Sequence, residues 1–244
     1  MSSPVELTHA LLRDRAREML GYMRFLRLAL ENDAQVVAAH SAQAHPLRKG
    51  LTHTLKANVY LLLYSSMEAV LVQLLDEMHE AIAQHCRGAD ELNAQLVLMV
   101  ARSFKTRSTD LDLDNTHAPL DKALFAAWVD DWRARTKAAD KRTAGLGGNV
   151  DSRAILQQLQ RYGVLTVEPK DAPPRLKHEA MQRAKQHRNE LAHGEKSFAD
   201  LGRDLTFEAL CDDARAVFRS LARVAQEVEA YLVQKRYRAD PSEA

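Results

Sequence analysis

The sequence predicts an all-α fold, and three features carry that expectation. Apolar residues recur at steps of three and four over long stretches, the helical period, whereas strand-like alternation is lacking except for one short extended segment, Val164 to Val167. Glycine and proline are few, nine and seven in 244 residues, and they collect where the helical period lapses. Hydrophobic residues at 46% and charged residues at 27% describe a globular chain with a substantial core rather than a disordered one.

From Val5 to about Ala44, residues such as Leu7, Leu11, Met19, Met23, Leu26, Val36 and Val37 keep the spacing and predict one long helix or two in tandem. Pro46 and Gly50 break it. A second helix follows from about Thr52 to His85, where Leu55, Val59, Leu62, Leu63, Val70, Leu74 and Leu75 give a broad apolar face suited to the centre of a bundle. A third spans about Asp90 to Phe104. Asp110, Asp112, Asp114 and Pro119 mark a polar loop before a fourth, about Leu120 to Lys137. Lys137, Lys141 and Arg142 then enter a turn with Gly145, Gly147 and Gly148, after which Asp151 is placed to cap a short helix ending at Gly163. Pro173 and Pro174 stand where the next helix starts, Leu176, Ala180, Ala184 and Leu191 stripe it, and Gly194 closes it. Thr206 caps a long last helix whose core face includes Phe207, Leu210, Val217, Leu221, Val224 and Val228. One helical domain over 1–238 is expected, with an N-terminal helical extension, 1–45, inserted shorter helices, and a frayed tail, 239–244.

Thirty-four basic residues nearly cancel thirty-three acidic ones, so affinity for nucleic acid would have to come from local patches. Cys86 and Cys211 are far apart and outside any metal-ligand spacing, which suits a reducing cytoplasm better than a disulfide scaffold. The first twenty residues carry charges where a signal peptide needs an apolar core. The longest uncharged apolar run considered, Val59 to Leu63, is far short of a membrane span. The GLGGNV segment has Val150 at the third glycine position of a dinucleotide loop and no strand before it. HEAMQ, from His178, has Gln182 where a zinc protease needs its second histidine. No metal and no cofactor is therefore expected.

What remains is RNELAH, Arg188 to His193, an arginine and a histidine separated by four residues at the end of a predicted helix. With 23 arginines and ten histidines about one such spacing is expected by chance, and a second, Arg48 to His53, indeed occurs beside the Pro46 and Gly50 break. The Arg-Asn and Leu-Ala-His-Gly wording of the first copy resembles the HEPN ribonucleases. So do the helix Asn58 to Leu75, the turn Gly147 to Asn149 before a short helix, and the helix order, which resemble prokaryotic defence-associated HEPN proteins over about 51–235. That resemblance implies a HEPN-like helical bundle, a homodimer with paired motifs at its interface, and metal-independent RNA cleavage by a toxin or an effector of antiphage defence. An antitoxin or regulatory defence protein would be a further partner. The alternative is a non-catalytic HEPN module that dimerises and binds RNA, nucleotide or a regulatory protein.

RNA carries its own nucleophile, the 2′-hydroxyl, so acid–base help and charge stabilisation suffice in principle. Histidine, with a reference pKa of about 6.5, moves protons near neutrality, and arginine offers a planar fork of donors to phosphoryl oxygens. His193 is assigned as general acid or base and Arg188 as phosphate clamp, with Asn189, four residues before His193, placed to orient its ring or to hold a phosphate oxygen. Glu68 is a candidate support for Arg188, and Arg175, Lys177, Arg183 and Lys185 are candidates for RNA contact. Each has a plainer reading: His193 as a helix cap, Arg188 as a surface charge paired with Glu68, Asn189 as a local hydrogen-bonding group, the four cations as solvated surface. A five-residue step turns about 140° net, so Arg188 and His193 would diverge in one protomer, and two copies about a two-fold axis would bring the pairs together.

Overall fold

The computed structural model describes residues 3–31, 34–37, 44–105, 120–137, 150–165 and 178–239. Among them are eight α-helices: α1 Glu6–Ala29, α2 Lys49–His85, α3 Ala94–Lys105, α4 Leu120–Lys137, α5 Ser152–Arg161, α6 His178–Ala192, α7 Phe198–Arg203 and α8 Phe207–Val233. A single turn of 3-10 helix, Ala89–Glu91, precedes α3. The all-α expectation holds.

Helix α2 is the axis of the bundle, with α1, α6, α7 and α8 packed around it. Val59, Tyr60, Leu63, Met67, Val70, Leu74, Met78 and Ile82 are buried along its length, facing Leu26 of α1 and Leu210, Val217, Leu221 and Val228 of α8. A helix enclosed on most sides needs apolar residues on most sides. By length and composition α2 would even pass as a membrane span, with a mean hydropathy of 1.4 over its best window, although 56% of that window is buried within the protein. The sequence reading, which saw only Val59 to Leu63 as a continuous run, understated it.

Two features needed the fold to be seen. The expected helix from Val5 to Ala44 stops at Ala29, and a two-stranded antiparallel hairpin follows, β1 Gln35–Val37 on β2 Ala44–Pro46, with Val36 opposite His45. Both strands are exposed on both faces, so no alternation of apolar and polar residues is required of them. Helix α7 was not anticipated at all; six residues are too few to display a period. Its Gly202 lies so close to the His53 carbonyl that a Cβ would sit 1.8 Å from that oxygen, which places α7 directly on the first turns of α2. Gly50, expected to break a helix, is inside α2.

Caps behave as the sequence suggests at three places. The Asp151 side chain accepts the Ala154 N–H at the start of α5, Thr206 accepts from Ala209 at the start of α8, and Gly194 adopts a φ of 70° after α6. At α1 the cap comes from another helix: the Glu77 carboxylate of α2 accepts the N–H groups of Leu7 and Thr8, both at 2.8 Å. The chain beyond α8 does not fray where it is described. Tyr237 is buried, Asn93 N–H donates to its carbonyl at 2.8 Å, Arg238 bridges to Leu92, and Ala239 N–H donates to Glu91 at 3.0 Å. The acidic run at 110–114, the glycine turn at 145–149, Pro173 and Pro174, and residues 240–244 lie outside the described residues.

His79 of α2 is enclosed by the rings of Trp128, Trp132 and Tyr162, and its Nε2 shares a hydrogen bond of 2.8 Å with the Tyr162 hydroxyl. Burial pushes its imidazolium down to a pKa of about 3, with partial opposition from the Leu75 carbonyl. The folded protein therefore refuses a proton that the unfolded chain accepts below about 6.5. Stability from this group should be complete above that pH and fade as pH falls toward 3. Urea unfolding at pH 7.5 and 5 should show the loss, and His79→Gln should flatten the pH dependence.

Candidate active site

Helix α6 lies on α2 through Ala180, Met181, Ala184 and Leu191, and two tyrosines one turn apart on α2 receive its polar side chains. The Tyr60 hydroxyl donates to Asp213 of α8 at 2.9 Å, and Arg183 Nε donates to the same carboxylate oxygen at 2.9 Å. The second oxygen of Asp213 takes another Arg183 N–H, so the guanidinium grips the acid at both oxygens. The His187 ring packs on Tyr60 with 4.5 Å between centroids. One turn along α2, the Arg188 guanidinium lies over the Tyr64 ring, 4.6 Å from its centre. The Tyr64 hydroxyl accepts the Val150 N–H at 3.1 Å, which docks the chain just before α5 against the same residue.

Arg188 is half-buried and Nη1 donates to the Asn189 side-chain oxygen at 2.9 Å. The Asn189 side-chain oxygen serves Arg188, and its backbone carbonyl accepts the His193 N–H at 2.9 Å. His193 is exposed and occupies the last position of the helix turn. Gly194 N–H donates to Leu191 at 3.2 Å and Glu195 N–H to Glu190 at 2.9 Å, the paired bonds of a Schellman C-cap, with Gly194 supplying the positive φ.

Glu190, within the same motif, is nearly covered. It accepts from Gln186 Nε2 at 3.0 Å, His187 Nδ1 at 3.0 Å and Lys196 Nζ at 3.1 Å. Burial would raise its pKa, but these donors outweigh burial and hold the carboxyl at about 2. Around Tyr64, burial pushes the phenol up; the Val150 N–H and the charges of Arg188 and Lys185 pull it down, and Glu68 pushes it up. Glu68 is therefore near this cluster, yet Arg188 stacks on the ring rather than pairing with Glu68.

The basic track divides. Arg183 is committed to Asp213, and Lys185 donates to Asp151 at 2.8 Å, so both cations already face carboxylates. These two are structural ties between helices in this fold. Arg175 and Lys177 lie outside the described residues. Sequence reasoning missed Tyr60, Tyr64, His187, Glu190 and Asp213; the spacing of Tyr60, Tyr64 and Glu68 along one face of α2 was the available signal. A cleft of about 630 Å³ between α3 and α5, lined by Gln95, Arg102, Gln157 and Arg161, contains none of these side chains. No group of three or more His, Cys, Asp or Glu suited to a metal occurs among the described residues.

A family model described as MAE_28990-like HEPN matches residues 11–237, from within α1 to the docked Tyr237. The chain belongs to this HEPN family. No curated protein and no solved structure matches it. A HEPN domain is a nuclease or RNA-binding module in general terms, and the all-α architecture agrees with that membership.

Tyr64 should matter to this HEPN domain through its ring. Tyr64→Phe keeps the surface under Arg188 and loses the Val150 bond, whereas Tyr64→Leu loses both. Because Tyr64 is buried, replacing the ring should cost more beyond the phenylalanine variant than the about 0.5–1 kcal/mol of the lost cation–ring contact, leucine also leaving a cavity of about 1–3 kcal/mol. Chemical denaturation of the two variants measures the difference.

Proposed function

We propose that this HEPN protein is a metal-independent endoribonuclease in which Arg188 clamps the scissile phosphate and His193 transfers the proton. The bracing of Arg188 carries the reading. A guanidinium set over the Tyr64 ring and tied at one nitrogen to Asn189 is held in place, with no ion pair to a carboxylate among the described residues. That is an anion clamp waiting for an anion, because the remaining edge donors match two phosphoryl oxygens. His193 sits exposed one short turn beyond, on a cap that fixes its backbone.

The reaction needs a base for the 2′-hydroxyl proton, an acid for the leaving 5′-oxygen and charge stabilisation at phosphorus. A five-residue step along one helix turns Arg188 and His193 apart, so the working unit in this reading is a homodimer in which two α6 ends meet across a two-fold axis. The protein acts in the cytoplasm as a toxin or effector of antiphage defence, with an antitoxin or a regulatory defence protein as its natural restraint.

His193→Ala should reduce RNA cleavage by about a hundredfold or more, the usual scale of acid–base help, while the dimer persists by light scattering. Full cleavage in that variant would reject the assignment, and binding without cleavage in the wild type would favour a non-catalytic RNA-binding module. Arg188→Lys should also be impaired, because a point-charge ammonium lacks the planar fork. Cleavage should persist in excess EDTA, fail where the 2′-hydroxyl is replaced by hydrogen, and leave a 2′,3′-cyclic phosphate and a 5′-hydroxyl. Mass spectrometry of a short substrate reads these ends; a 5′-phosphate would sink the mechanism.

A further inference from the structure

His193 to Ser197, the five residues joining α6 to α7, are all exposed, and His193 is the first of them. An exposed turn this long has little packing to fix the direction of a side chain. Its anchors include the two backbone bonds of the C-cap, the Ser197 cap of α7 and one side chain of α6, Glu190. That residue holds the turn twice: its carbonyl accepts the N–H groups of Glu195 at 2.9 Å and Lys196 at 3.3 Å, and its carboxylate accepts Lys196 Nζ at 3.1 Å.

We propose that Glu190 is a positioning residue for His193, gripping Lys196 across the turn so that the imidazole between them keeps one aim. The inference rests on the reading of His193 as the acid–base group. Three features favour it over a merely structural salt bridge. First, the carboxylate is fixed on its inner side by Gln186 and by His187, which itself rests on Tyr60, so the grip is referred back to the rigid α2. Second, Glu190 has only 12% of its side chain exposed while Lys196 has 47%, an anchor inside and a tether outside. Third, an unmatched carboxylate two residues from Arg188 would repel a phosphate; the donors from His187 and Lys196 answer that charge locally.

The Lys196 end of the pair is half-exposed, so cutting it there costs little global stability, which makes that variant the clean one. Lys196→Met and Glu190→Gln should each lower kcat by about ten- to a hundredfold, the scale of a misplaced reacting group, with KM for a short RNA little changed. Lys196→Arg, which restores the tie, should restore kcat. The double variant should be no slower than the worse single one, because both remove the same restraint. Histidine-selective NMR should show the His193 ring signal broadened or shifted in Lys196→Met and normal in Lys196→Arg, at unchanged thermal midpoint.

A rise in KM with kcat intact would make Lys196 an RNA contact and overturn the proposal, as would unaltered kcat and ring signal in Lys196→Met. If Glu190→Gln fails to fold, Lys196→Met alone decides, since it cuts only the outer tie. Loss of activity in His193→Ala together with full activity in Lys196→Met sinks the positioning role alone. Full activity in His193→Ala sinks the reading beneath it.

Discussion

Taking a carboxylate out of water costs several kcal/mol, and the cost is offset only where charge and hydrogen bonds meet it in good geometry. Asp213 of α8, with 5% of its side chain exposed, is such a group, and it is met by Arg183 from α6 and the Tyr60 hydroxyl from α2. Three helices distant in sequence are thereby held to one mutual setting. With Arg183 opposite Tyr60, His187 one turn later falls on the same tyrosine, and Arg188 falls on Tyr64. Lys185, on the side of α6 toward α5, reaches the Asp151 that also caps α5. The placement of the candidate clamp is thus a consequence of how one buried acid is satisfied.

The charges of α6 sort by what opposes them. Arg183 and Lys185 face carboxylates, while Arg188 faces a ring. A π face attracts a cation without cancelling its charge. In sequence these three residues look alike, three cations spaced within six positions of one another, and no local pattern separates structural from functional ones. Only the residues brought opposite them from α2, α5 and α8 do so.

Much of the architecture was legible because long helices repeat their signal. Helix α4 has the bounds its periodicity and Pro119 imply, and Asp151, Thr206 and Gly194 stand where helix ends require them. The RNELAH segment was legible as a pattern on a helix end, and the family match over 11–237 agrees with the resemblance it suggested. What stayed hidden is short or tertiary. The hairpin Gln35–Val37 with Ala44–Pro46 has both faces in solvent and needs no pattern, α7 is shorter than two helical turns, and Tyr237 is buried by partners more than 140 residues earlier. The contact of Asn189 was not legible for a related reason: helix geometry says which residues share a face, but not which neighbour a side chain meets, here Arg188.

The order of the elements along the chain sets when this site comes into being. Asp213 lies twenty-five residues after Arg188 and more than 150 after Tyr60, so during synthesis α2 and α6 leave the ribosome before the acid that locks them together. Until α8 docks, Tyr60 and Arg183 lack their shared partner, and the stack of Arg188 on Tyr64 has no fixed frame. A nascent chain thus lacks the full frame behind Arg188, which is complete only once the last helix has docked.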